Sequence, residues 1–154
     1  MSERMDRTTD EAPDREIVST RTFDASRERL FEAFVDPHRI SRWWGPKGFT
    51  NTFQEFDPRP GGPWKFVMHG PNGVDYPNRS AFLDVVPPER IVLRHVSGPE
   101  FELTVTLAEE GTGTRLTWRM AFNSAAEREK VAAIAVPSNE ENFDRLAAEL
   151  TRVG

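Results

Sequence analysis

From Thr50 to Phe122 the apolar side chains recur at every second position, and each interruption carries turn chemistry: Asp57-Pro58-Arg59-Pro60-Gly61-Gly62, Pro71-Asn72-Gly73, Pro87-Pro88, Ser97-Gly98-Pro99 and Glu110-Gly111-Thr112-Gly113. Period two is the repeat of a strand, and connections this short cannot cross over a sheet, so the segments must pair as an antiparallel meander. The pattern predicts strands over about 51–57, 63–69, 78–86, 89–97, 100–109 and 113–122, leaving Tyr76 in a loop. Such a sheet has to bury one face. Trp64, Phe66 and Met68 share a side of their segment, and Leu116, Trp118, Met120 and Phe122 share a side of the last.

The flanks complete the layer. Residues 16–23 alternate β-branched positions and predict a first strand, so the sheet has about seven strands. Leu30, Phe31, Phe34 and Val35 then recur at helical spacing behind Asp24 or Ser26 as cap. Asp36 can cap a second, short helix, with Pro37 at its first position and His38–Trp44 as its body. Beyond the meander, Ser124-Ala125-Ala126-Glu127 and Ser138-Asn139-Glu140-Glu141 are capping boxes on either side of Pro137, predicting two helices divided by the proline. The last carries Phe143, Leu146, Ala147, Leu150 and Val153 on one stripe. Residues 1–14 are charged and aperiodic and predict a flexible tail, with one domain over 15–154.

The stretch Arg39–Gly70 joins a helix end to two strands and is loaded with apolar bulk: Trp43, Trp44, Phe53, Phe56, Trp64, Phe66 and Met68. A curved sheet that grips a helix with aromatic side chains on its concave face tends to enclose a small-molecule site. On this reading Trp43, Trp44, Phe53, Trp64, Phe66, Met68, Phe82, His95, Trp118, Met120 and Phe143 line a hydrophobic cavity. The competing reading is plain core, because burial at strand spacing alone does not make a site. His95 shares a strand face with Ile91 and Leu93, so its polar tip would point into the cavity unless it is a structural histidine with satisfied hydrogen bonds.

Other chemistries lack their residues. The chain has no cysteine, which removes thiol nucleophiles and thiolate metal sites, and its three histidines stand in no ligand spacing, so neither a metal nor a cofactor is expected. A formal charge of −5 with interspersed signs offers no basic stripe for nucleic acid. No apolar run reaches membrane length and the N-terminus lacks a signal-peptide core, so a cytoplasmic monomer or homodimer is expected. No glycine cradle or nucleophile elbow is present, and no catalytic residue is assigned.

The Asp36-Pro37 helix end, Trp43-Trp44-Gly45-Pro46, the Asp57–Trp64 turn, Pro88-Glu89-Arg90-Ile91 and the terminal Phe143-Asp144-Arg145-Leu146 resemble the activator of heat-shock-protein-90 ATPase homologue family, of the START-like or SRPBCC superfamily, from about residue 16 to 152. The resemblance implies an α+β helix-grip fold, a strongly bent antiparallel sheet wrapped around a long C-terminal helix. It further implies a small hydrophobic ligand of lipid, polyketide or aromatic type. Two rival roles follow from it: a cyclase- or dehydratase-like enzyme using the same cavity, and a co-chaperone partner of a heat-shock-protein-90 homologue in the stress response. Two positions depart from the family pattern. Ser138 and Asn139 stand where a glycine and an aromatic are usual, and Ser80 stands where glycine is common.

Overall fold

The computed structural model describes residues 14–152, so the expected tail falls, but for its last residue, outside the described residues, as does Val153. In chain order the elements are β1 (Glu16–Phe23), α1 (Arg27–Val35), α2 (Pro37–Trp43), β2 (Thr50–Phe56), β3 (Pro63–His69), β4 (Asp75–Val86), β5 (Arg90–His95), β6 (Phe101–Glu110), β7 (Gly113–Phe122) and α3 (Ala125–Arg152). The strands form one antiparallel sheet in the order β1-β7-β6-β5-β4-β3-β2. With the long helix α3 packed on β1 and β7 and against α1 and α2, this is the helix-grip fold. Among the described residues no helix is long and apolar enough to cross a membrane.

Local chemistry sets the element ends. The Ser26 side chain accepts from the Arg29 amide at the start of α1, and Asp36 both ends α1 and caps α2, its carboxylate accepting from the amides of His38 (2.9 Å) and Arg39 (3.4 Å). In the turn before β3, Gly62 is obligatory, because a Cβ there would lie 1.9 Å from the Asp57 carbonyl oxygen. Arg59 closes the same turn with two bonds to the Asp57 carboxylate.

Three sequence expectations are corrected. Trp44 does not continue α2; it is the extended C-cap, with Gly45 following at φ +101°. β4 begins at Asp75, which places Tyr76 in the ladder opposite Met68 and Pro77 opposite Val67. A proline is tolerated there because β5 joins β4 only from Ser80 onward, so this stretch has one neighbour and a free edge. Finally, Pro137 does not divide two helices but lies inside α3. Ser124 caps that helix by accepting from the Glu127 amide at 3.1 Å, whereas Ser138 is within the helix.

Pro137 removes one rung of the α3 ladder, the one that would reach the Ala133 carbonyl. Both Ala133 and Pro137 are exposed, so water can serve that carbonyl. Replacing Pro137 by alanine is therefore expected to stabilise the chain by about 1–2 kcal/mol, the interior helix propensity gained being offset in part by a more flexible unfolded chain. A higher urea midpoint checks this, and a lower one would mean that the helix needs the proline where it stands.

Candidate functional site

The helix α3 grips the sheet unevenly. Its buried residues, Asn139, Asn142, Phe143, Leu146, Glu149 and Leu150, all lie in the C-terminal half. In the N-terminal half Val131, Ala132 and Ala135 are only half-buried, and Ile134 is 72% exposed. The tight half of the helix faces a continuous cluster of aromatic rings.

Trp64 is the hub of that cluster. Its ring centroid lies 4.6 Å from Phe66, 4.8 Å from Trp44, 5.4 Å from Phe56, 5.5 Å from Phe53 and 5.9 Å from Phe82. Trp44 also stands 5.6 Å from Trp43 and 5.4 Å from Trp118, and Trp118 in turn reaches Phe143 at 5.7 Å and Phe34 at 6.4 Å. These are packing distances for aromatic pairs. Where the sequence led us to expect an unfilled space, the rings meet one another. A cleft of about 460 Å³ opens away from the rings, between Arg42, Asn51, Arg145 and Glu149.

A β-bulge makes the cluster possible. Phe53 and Phe56 are three apart and would face opposite sides of a regular strand. The register of β2 on β3 shifts between Phe53 and Glu55, so both rings reach Trp64.

Polar side chains hold the Trp43–Pro46 backbone beneath the rings. The Arg145 guanidinium donates to the carbonyls of Trp44 (3.2 Å), Gly45 (2.9 Å), Pro46 (2.9 Å) and Arg42 (2.8 Å). It meets no carboxylate among the described residues, and burial lowers its pKa from the ordinary arginine value. Asn142 donates to the Trp43 carbonyl at 2.8 Å and accepts from the Gly45 amide at 3.3 Å, while Asn51 donates to the carbonyls of Trp44 and Ser41. A cation and amide donors suit this place, because the end of α2 presents carbonyls with no helical partner. Glu149, 2% exposed, completes the face: both its oxygens accept from Arg42, at 2.9 and 2.6 Å.

The indole nitrogens of the buried tryptophans differ sharply. Trp43 donates to the Ala33 carbonyl at 2.9 Å. That carbonyl would otherwise go unserved, since the residue four ahead is Pro37, which has no N–H. Trp64 and Trp118, 1% and 4% exposed, find no acceptor for theirs among the described residues. A buried donor left without a partner costs about 1–3 kcal/mol.

The expected site residues therefore separate. Trp43, Trp44, Phe53, Trp64, Phe66, Phe82, Trp118 and Phe143 stand together in one cluster. Met68 borders it, its methyl packed so closely on Gly45 that a Cβ there would lie 2.6 Å away. Met120 is buried, with its sulfur 3.6 Å from the Asn139 amide nitrogen, which also bonds Ser19. His95 stands apart: one ring nitrogen is 2.8 Å from the Pro99 carbonyl and the other 2.7 Å from Asn78 Oδ1, and the ring stacks on Phe101. Burial holds its pKa below the ordinary histidine value, against the raising pull of the Pro99 carbonyl. The sequence reading did not single out Asn51, Asn142 or Arg145 for the site; the spacing of Asn142, Arg145 and Glu149 on one helix face was the available signal.

Comparison with known proteins agrees with this architecture. Residues 24–151 match the family described as Activator of Hsp90 ATPase homolog 1-like protein. A crystal structure of a protein from Nitrosomonas europaea superposes with a TM-score of 0.84 at 19% identity, covering 92% of this chain and 97% of that one. One from Rhodobacter sphaeroides gives 0.84 at 25% identity, covering 92% and 95%. The AHSA1 protein from Silicibacter pomeroyi gives 0.75 at 21% identity, covering 90% and 99%. No curated protein matches the chain.

Proposed function

Because the chain belongs to the family of Activator of Hsp90 ATPase homolog 1-like proteins, whose fold supports a ligand-binding or co-chaperone type of role in general, we propose that it binds a small hydrophobic molecule between the concave face of the sheet and α3. The observation that carries this reading is the aromatic cluster around Trp44, gathered on the face of the sheet that α3 covers. Trp43, Trp44, Phe53, Trp64, Phe66, Met68, Phe82, Trp118, Met120 and Phe143 would contact the ligand, of lipid, polyketide or aromatic type, and the protein would act in the cytoplasm.

His95 stays in the proposal as a ligand contact through its ring and not through a polar tip, since both its nitrogens are bonded within the protein. An enzymatic role would require a free acid or base among the rings, and both nitrogens of His95 face protein acceptors. The co-chaperone reading would use the outer surface, where Ile134 and Val136 of α3 are exposed.

Titrating oleate, a sterol and an aromatic polyketide against tryptophan emission is expected to give saturable quenching with at least one of them. Native mass spectrometry should show the same complex at one-to-one stoichiometry. No quenching by any of the three, together with retention of the chain on an immobilised heat-shock-protein-90 homologue, would replace the ligand reading by the chaperone one.

A further inference from the structure

The cleft of about 460 Å³ between α2, the start of β2 and the last turns of α3 carries more positive charge than its own carboxylate balances. Arg42, Arg145, Glu149 and Arg152 line it, and every other lining side chain is neutral. Glu149 stands between two of the arginines: Arg42 donates to both its oxygens, and Nε of Arg152 lies 3.4 Å from Oε1. One such partner offsets the charge of a carboxylate that is 2% exposed; the second leaves the group positive. Arg145 adds to that sign, since it meets no carboxylate among the described residues. The chain as a whole carries −5, so the cleft runs against its background.

Cations also gather at helix ends, where they answer the last carbonyls. Here other groups already do so. Arg145 serves the end of α2, and at the end of α3 Arg29 donates to the Leu150 carbonyl and Thr151 to that of Ala148. Arg42 and Arg152 are therefore left with Glu149. Arg42 spends Nε and Nη2 on it, which leaves Nη1; Arg152 offers it only Nε, which leaves both terminal nitrogens. None of these three nitrogens has a protein acceptor among the described residues. The buried carboxylate thus holds two planar forks side by side without satisfying either.

We propose that this cleft binds a phosphate monoester, with the phosphate held by Arg42 and Arg152 and the organic part lying along the neutral wall. A carboxylate has two oxygens, which a single fork saturates, whereas a phosphate monoester has three terminal oxygens and twice the charge to set against two forks. The cleft falls within the range of about 300–1,000 Å³ that small-molecule sites span, so it has room for more than a bare phosphate. The site is separate from the apolar one proposed above, and neither needs the other.

The test titrates the full chain with phenyl phosphate, inorganic phosphate and phenol, following the heat of binding and the guanidinium Nε–H resonances of Arg42 and Arg152, each assigned by its loss in the matching Arg→Lys variant. Phenyl phosphate is expected to bind and to shift both resonances, inorganic phosphate to shift the same two with lower affinity, and phenol to shift neither. Arg152→Ala, which leaves Glu149 its bonds to Arg42, is expected to weaken phenyl phosphate about ten-fold, and Arg152→Lys to recover only part of that, because an ammonium has no fork. The quenching of tryptophan emission by oleate should be the same in both variants, which keeps this site distinct from the apolar one. Unchanged affinity for phenyl phosphate in Arg152→Ala, or unmoved Arg42 and Arg152 resonances in the wild-type chain, would overturn the proposal. Inorganic phosphate binding as tightly as phenyl phosphate would overturn the monoester. Phosphatidic acid presents the same group on a membrane: sedimentation with vesicles of phosphatidic acid in phosphatidylcholine, with no binding of phenyl phosphate, would overturn the soluble ligand in favour of a lipid surface, while sedimentation that phenyl phosphate reverses would support the cleft. Should Arg152→Ala not fold, the two resonances of the wild-type chain decide.

Discussion

Trp64→Ala is expected to lower the unfolding free energy by about 3–5 kcal/mol, the range for emptying a fully buried aromatic position. The reason is the number of neighbours left facing a void: Trp44, Phe53, Phe56, Phe66 and Phe82 all lie within 5.9 Å of the lost ring, on four different segments of the chain. No single side-chain movement fills that volume. Replacement by phenylalanine separates packing from hydrogen bonding. The Trp64 N–H has no acceptor among the described residues, so Trp64→Phe loses area alone. Trp43→Phe loses area and also strands the buried Ala33 carbonyl, and should cost about 1–3 kcal/mol more than Trp64→Phe. Urea unfolding of the three variants reads this directly; equal costs for the two phenylalanine variants would mean that the Trp64 N–H is served after all.

Arg145→Met is expected to destabilise the chain by about 2–4 kcal/mol, as four carbonyl partners lose their donor at modest net worth each. The figure is held to this range because the guanidinium is partly in contact with water. Arg145→Lys should recover less than half of the loss, since an ammonium has three donors and cannot spread them over the plane that these carbonyls define. The loss is also expected to be local. The Trp44 and Trp43 indole resonances should broaden before those of Trp64 and Trp118, because the released segment is the one that follows α2. A change as small as that of an exposed arginine would show that Asn142 and Asn51 hold the segment without it.

Much of this was readable from residue order. The run of strands, the Asp36-Pro37 junction and the Ser124 cap each depend on a few neighbouring residues, and each stands where local chemistry placed it. Pro137 misled because a proline inside a helix costs one bond and a steric adjustment, and a long helix clamped over its C-terminal half can bear that. Tyr76 misled because whether Pro77 interrupts a strand depends on which neighbours that strand has, and pairing partners lie far away in sequence. The bulge at Gln54 hid the partnership of Phe53 and Phe56, which strict alternation would have set on opposite faces.

What the sequence by itself determined was the list of elements and the side of each that had to be apolar, since period and capping are properties of a few consecutive residues. Only the tertiary structure decided that the aromatic side chains meet ring to ring, that Arg145 and Asn142 reach back to carry the Trp43–Pro46 segment, and that two of three buried indoles find no acceptor among the described residues. Contacts of that kind join residues about a hundred positions apart, and their distances follow from how a bent sheet and one helix share volume, which no local pattern encodes.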